Sequence, residues 1–127
     1  MPEELPAVIA DGPLDDTVLE FMAGQVSLVP WDTLDTGLTL QIEGLYTYGH
    51  PRVDSALLDR FPKLRIISNY GVGVDHIDLR AAEERGIPVG NTPDILNGAT
   101  ADQAMTLVLE TGRRLIEGDG YARSPDF

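Results

Sequence analysis

The sequence predicts an α/β fold: an open, doubly wound parallel sheet of about five strands, followed by a long helix. Three observations predict it. Five short apolar runs recur along the chain, each closed by turn chemistry. Helical patterns introduced by aspartates lie between several of them. Strands and helices that alternate at this spacing form βαβ units, which pair their strands in parallel. Right-handed crossovers then wind the sheet from both sides.

The elements follow in order. The first strand is Ala7 to Ala10, closed by Asp11-Gly12. Asp15 or Asp16 caps a helix carrying Val18, Leu19, Phe21 and Met22, and Gly24 ends it. The second strand is Val26 to Val29, stopped by Pro30. Residues 31–43 read either as a short helix or as an irregular crossover. The third strand is Gly44 to Tyr48, with the turn Gly49-His50-Pro51 behind it. Asp54 to Arg60 reads as a helix that points Leu57 and Leu58 inward. The fourth strand, Leu64 to Ser68, is almost continuously apolar around Ile66 and Ile67, which predicts burial on both faces. Asp78 caps a helix over Leu79 to Arg85, and Gly86 stands where a helix C-terminus favours glycine. Ile87-Pro88-Val89 is the fifth strand, and its proline predicts a short or edge position.

The last stretch breaks the rhythm. Residues 99–117 read as one long helix whose apolar side chains cover more than one stripe, among them Met105, Leu107, Val108, Leu109 and Ile116. A helix apolar nearly all round needs cover on most sides. The expectation is that it packs on a second domain, a partner subunit, or both. Gly112 within it costs up to ~1 kcal/mol relative to alanine and reads equally as a point of close helix approach or as a tolerated defect.

Composition narrows the function. A chain of 127 residues has the size of one domain. Its 43% apolar and 24% charged residues are ordinary globular values. No apolar run approaches the ~20 residues of a membrane span. The amino terminus, MPEELPAVIADG, has no basic segment and is not expected to be a secretory signal. The absence of cysteine excludes disulfides, zinc ribbons and thiol nucleophiles, and a cytoplasmic protein is expected. Nine basic against 21 acidic residues give a net charge of −12, which repels phosphate backbones and argues against a nucleic-acid partner.

The chemistry-bearing stretch is Ser68-Asn69-Tyr70-Gly71-Val72-Gly73-Val74-Asp75-His76-Ile77-Asp78. A strand runs into a Gly-x-Gly loop and then into a capped helix. It is not a dinucleotide fingerprint, because His76 stands where the third glycine would fall. Ligands of open α/β sheets sit at the carboxyl ends of the strands, and exposed N–H groups there can hold an anion. The size of the loop suits a carboxylate better than a pyrophosphate. The same loop would serve equally as a strand-to-helix turn without a ligand. Asp11, Asp15 and Asp16 are explained by capping and turn formation. A receiver-type acidic site is excluded, because Tyr46-Thr47-Tyr48 occupies the end of the third strand, where such a site needs an aspartate. No grouping of ligands has metal-binding spacing.

Three segments together resemble the D-isomer-specific 2-hydroxyacid dehydrogenases, closest in flavour to glyoxylate, hydroxypyruvate and 2-ketogluconate reductases. They are Asn69 to Asp78, Gly86 to Asp94, and Ala99-Thr100-Ala101-Asp102-Gln103-Ala104. The specific match covers roughly residues 44–127, and residues 1–43 match in layout only. The resemblance implies a flavodoxin-like substrate domain over residues 1–98. A linking and dimerising helix over residues 99–127 would then lead toward a Rossmann domain that binds NAD or NADP. It implies that the amides of Val72 and Gly73 hold the carboxylate of a small 2-keto or 2-hydroxy acid. It places Tyr48, with Gly49 and His50, and also Leu96 near the substrate, and Thr100 near the nicotinamide end of the cofactor. It implies a homodimer formed through the long helix.

The family's dinucleotide fingerprint and its catalytic arginine, glutamate and histidine would all lie beyond Phe127. No catalytic residue is therefore expected in this chain, and neither His50 nor His76 matches the catalytic histidine. His76 is expected to be a polar loop residue that helps the turn, and His50 to face solvent. The chain alone is expected to be inactive and to bind no cofactor tightly. A different class remains open: a stand-alone, non-catalytic module that binds a small anion or self-associates through its last helix. A flavodoxin-like electron carrier ranks last, because no phosphate-binding loop follows the first strand.

Overall fold

The structure is a computed structural model and describes residues 5–12 and 14–127. The reading of the amino terminus as no signal sequence begins on residues 1–4, outside the described residues. The chain divides into two compact units, Met1–Pro93 and Asp94–Phe127.

The first unit holds the sheet. Its strands are β1 (Ala7–Ala10), β2 (Ser27–Pro30), β3 (Ile42–Thr47), β4 (Ile66–Asn69) and β5 (Val89–Gly90). All pair in parallel in the order β2-β1-β3-β4-β5. This is the doubly wound order expected of the sequence. The helices α1 (Asp16–Met22), α2 (Ser55–Leu58) and α3 (Leu79–Glu84) connect them. The ambiguous stretch between β2 and β3 forms two 3-10 turns, Trp31–Asp35 and Gly37–Gln41.

Aspartates start the helices, as expected of Asp15 and Asp78; Asp54, read as the first residue of its helix, caps it instead. Asp15, Asp54 and Asp78 accept hydrogen bonds from the N–H groups of Val18, Leu57 and Ala81. Gly86 closes α3 in the left-handed conformation at φ 67°. The Gly86 N–H donates to the Glu83 carbonyl and the Ile87 N–H to the Ala82 carbonyl, which gives partners to two of the carbonyls at that helix end.

Register aligns Val29, Ile9, Leu45, Ile67 and Val89 side by side on one face. Leu58, Phe61, Ile77 and Ala82 pack over this row and close the core. The other face carries Leu28, Val8, Gly44 and Ile66 in register. This corrects the expectation that β4 is buried on both faces: Ile67 is fully buried, whereas Ile66 is 49% exposed. The physical reason is one-sided cover. Only the β1–β2 crossover runs against the direction of the others, so α1 alone falls to the second face, and α1 contributes no buried residue.

The second unit consists of α4 (Asn97–Arg113) and α5 (Leu115–Ala122). The single long helix expected over residues 99–117 is therefore two. The break falls at Arg114, which is left-handed at φ 51°, and not at Gly112, which continues α4. The two-sided apolarity is present in α4: Met105 and Leu107, two residues apart and so on opposite sides of the helix, are each more than half exposed. Among the described residues no helix is long and apolar enough to cross a membrane.

Candidate functional site

Parallel pairing brings the carboxyl ends of β1, β3 and β4 to one edge of the first unit. Thr47 and Asn69 end β3 and β4 and pair in register. Both are polar and almost wholly buried. The Thr47 hydroxyl donates to Asn69 Oδ1 at 2.8 Å. Asn69 Nδ2 donates to the carbonyls of Gly71 and Gly73 at 2.8 and 2.9 Å. From the end of β5, Asn91 Nδ2 donates to the Val72 carbonyl at 2.8 Å, and the Thr92 N–H donates to the Gly71 carbonyl at 3.3 Å. The loop carbonyls are thus turned toward the protein. The N–H groups of Val72 and Gly73 donate to no acceptor among the described residues. Val72 is half-buried and Gly73 exposed.

The two loop glycines are not demanded by the backbone. Neither has a left-handed φ. A Cβ built on Gly71 would meet His50 Nε2 at 3.6 Å and Asn69 Nδ2 at 3.7 Å, and one on Gly73 would meet Asp75 Oδ2 at 3.8 Å. These are ordinary contacts. What glycine gives here is bare backbone open to an approaching molecule.

The β3 loop stands beside this one, and Asp11 holds it. Its carboxylate accepts from the N–H of Tyr48 at 2.5 Å and of Gly49 at 2.9 Å. Capping and turn formation, the roles read from the sequence, describe Asp15; Asp11 in addition clasps a loop from another strand. Tyr48 and Tyr70 lean on each other with centroids 4.9 Å apart, and both are about half exposed. Burial raises the Tyr46 phenol above its ordinary range, with Tyr70, Asp15 and Asp11 adding to the effect.

His50, left-handed at φ 57°, sets its ring edge-on to His76, with centroids 4.7 Å apart. His76 is half-buried, with Nε2 3.5 Å from the Thr47 hydroxyl. His50 is exposed as expected, but the imidazole pair was not foreseen. The signal for it lay in pairing: the loops after adjacent parallel strands must meet at one edge. Burial pulls His76 below its ordinary range, and the neighbouring His50 ring adds to this, while Asp11 and Asp75 oppose it.

A depressed histidine makes the folded state bind fewer protons than the unfolded one. Stability is therefore full above the unfolded value of about 6.5 and falls as pH drops through it. Urea denaturation at about pH 7.5 and about pH 5.5 is expected to show lower stability at the acid value. The difference is expected to shrink in His76→Gln.

Leu96 and Thr100 belong to the second unit. Leu96 precedes α4 and is 56% exposed, and the Thr100 N–H donates to its carbonyl at 2.9 Å. Of the expected site residues, the first unit gathers Val72, Gly73 and Tyr48 at one sheet edge. These residues form no pyrophosphate cradle. The third-glycine position is filled by the His76 ring, and the loop follows β4, not β1. No group of three metal ligands occurs among the described residues.

Comparison with known proteins adds a lineage. The model of the D-isomer specific 2-hydroxyacid dehydrogenase catalytic domain matches residues 8–118. A glyoxylate reductase of Thermococcus kodakarensis is 51% identical over 86 residues, 68% of this chain and 26% of that protein. The chain thus spans about a quarter of the length of the curated relatives it matches. A 2-hydroxyacid dehydrogenase structure from Ketogulonicigenium vulgare superposes with a TM-score of 0.79 at 32% identity, over 96% of this chain and 40% of that one. An NADPH-dependent glyoxylate/hydroxypyruvate reductase from Sinorhizobium meliloti, solved with NADP and malonate, gives 0.72 at 32% identity, over 95% of this chain and 39% of that one.

Proposed function

Given that the chain belongs to the D-isomer specific 2-hydroxyacid dehydrogenase family, we propose that it supplies the carboxylate-binding half of a reductase for small 2-keto acids. The observation that carries this is the pair of unpartnered N–H groups at Val72 and Gly73, on the carboxyl edge of a parallel sheet. Two amides donating to one carboxylate fix both the position and the direction of the acid, and positioning is a large share of catalysis. A relative solved in complex with NADP and malonate, a dicarboxylate, is in keeping with a small acid as ligand. Tyr48, whose loop Asp11 clasps, would flank the substrate, and the family resemblance adds Leu96 to the substrate's neighbours.

The acid would be of the glyoxylate or hydroxypyruvate type. NAD or NADP would supply the hydride and would be held by the rest of the longer protein, with Thr100 near its nicotinamide end. Residues 1–98 form the substrate domain in this reading, and residues 99–127 the link toward the cofactor domain. Such an enzyme belongs in the cytoplasm. Hydride and proton transfer are assigned to no residue of this chain.

The purified 127-residue chain is therefore expected to oxidise neither NADH nor NADPH with glyoxylate or hydroxypyruvate. Clear turnover would refute this division of labour. The exposed apolar side chains of α4 and α5 are the basis for a homodimer through these helices. Sedimentation is expected to show a dimer, and a clean monomer at high concentration would count against it.

A further inference from the structure

Each of the two candidate donor amides has an asparagine behind it. A trans peptide points its carbonyl and its N–H in opposite directions. The Gly71 carbonyl and the Val72 N–H share one peptide, and Asn69 Nδ2 holds that carbonyl. The Val72 carbonyl and the Gly73 N–H share the next peptide, and Asn91 Nδ2 holds that one. We propose that Asn69 and Asn91 are positioning residues, each fixing the peptide whose N–H receives the ligand carboxylate. The inference rests on the carboxylate reading above and deepens it.

The arrangement aims the amides and also strengthens them. A peptide whose carbonyl already accepts a hydrogen bond is polarised and donates more strongly through its N–H. Asn69 is suited to this by its own anchoring. Thr47 donates to its Oδ1, so both Nδ2 hydrogens are left for the loop, on Gly71 and Gly73. The opposite amide orientation would set Oδ1, an acceptor, against two carbonyls.

The test is amide NMR of the full 127-residue chain, titrated with glyoxylate. Asn91 is exposed, so Asn91→Ala is expected to keep its fold. Without ligand it should move the Gly73 amide resonance selectively, and its glyoxylate dissociation constant should rise by about threefold to tenfold. For Asn69, Thr47→Val removes the anchoring hydroxyl and should move the Val72 amide and weaken binding similarly, while Thr47→Ser should restore both. Wild-type affinity in Asn91→Ala and Thr47→Val would overturn the positioning role and leave the carboxylate reading standing. If glyoxylate moves neither amide in the parent chain, the carboxylate reading falls and the positioning role falls with it.

Discussion

Replacing Gly73 with alanine is expected to weaken glyoxylate binding by about tenfold, roughly 1.4 kcal/mol, and to leave the melting temperature almost unchanged. The argument separates space from access. The backbone at Gly73 is not left-handed, and an added methyl would lie 3.8 Å from its nearest neighbour, Asp75 Oδ2. Folding therefore tolerates it. A carboxylate on the Gly73 N–H would meet that methyl beside the donor. Gly86 supplies the opposite case. It is left-handed at φ 67° with nothing near its Cβ position, so Gly86→Ala is strained by about 1–2 kcal/mol and should melt several degrees lower with unchanged binding. Calorimetry and glyoxylate titration on both variants separate the two roles. Gly73→Ala that melts early while binding normally would reverse the assignment.

The second large effect distinguishes two neighbouring isoleucines. Ile67→Ala is expected to cost about 2–5 kcal/mol, a sizeable part of a typical domain's stability. Ile67 is wholly buried between Leu45 and Val89 and under the helices of the covered face. Ile66→Ala removes the same atoms from a side chain that is 49% exposed and should cost about 1 kcal/mol or less. Urea denaturation of the two variants, with equal slopes, measures the difference directly. Equal losses would mean that the second sheet face is as well covered as the first.

These two residues also mark where the sequence was legible and where it was not. Strand–helix alternation and the capping aspartates Asp15 and Asp78 are local signals, and the fold followed from them. Glycine spacing next to a strand is local too, but it left the loop open between an anion site and a plain turn, and only the family resemblance pointed to the amides of Val72 and Gly73. Which face of β4 is covered depends on the direction of distant crossovers, and an apolar run says nothing of that. The break at Arg114 escaped because an arginine carries no preference for left-handed backbone, while Gly112 nearby did. Asp11 on the Tyr48 loop, Asn69 between Thr47 and the glycine loop, and the His50–His76 pair are contacts across 20 or more residues or across separate strands. Only pairing register reveals such contacts.

The outer rims of the sheet carry a last consequence. β2 ends in Pro30, which has no N–H to offer a neighbour, and β5 is two residues long and directly follows Pro88. Both borders are thus poor templates for strand addition. Copies of this chain that meet at high concentration have little to extend by, so fibril-like stacking is disfavoured and self-assembly, where it occurs, is steered to side-chain surfaces that can close into a finite particle.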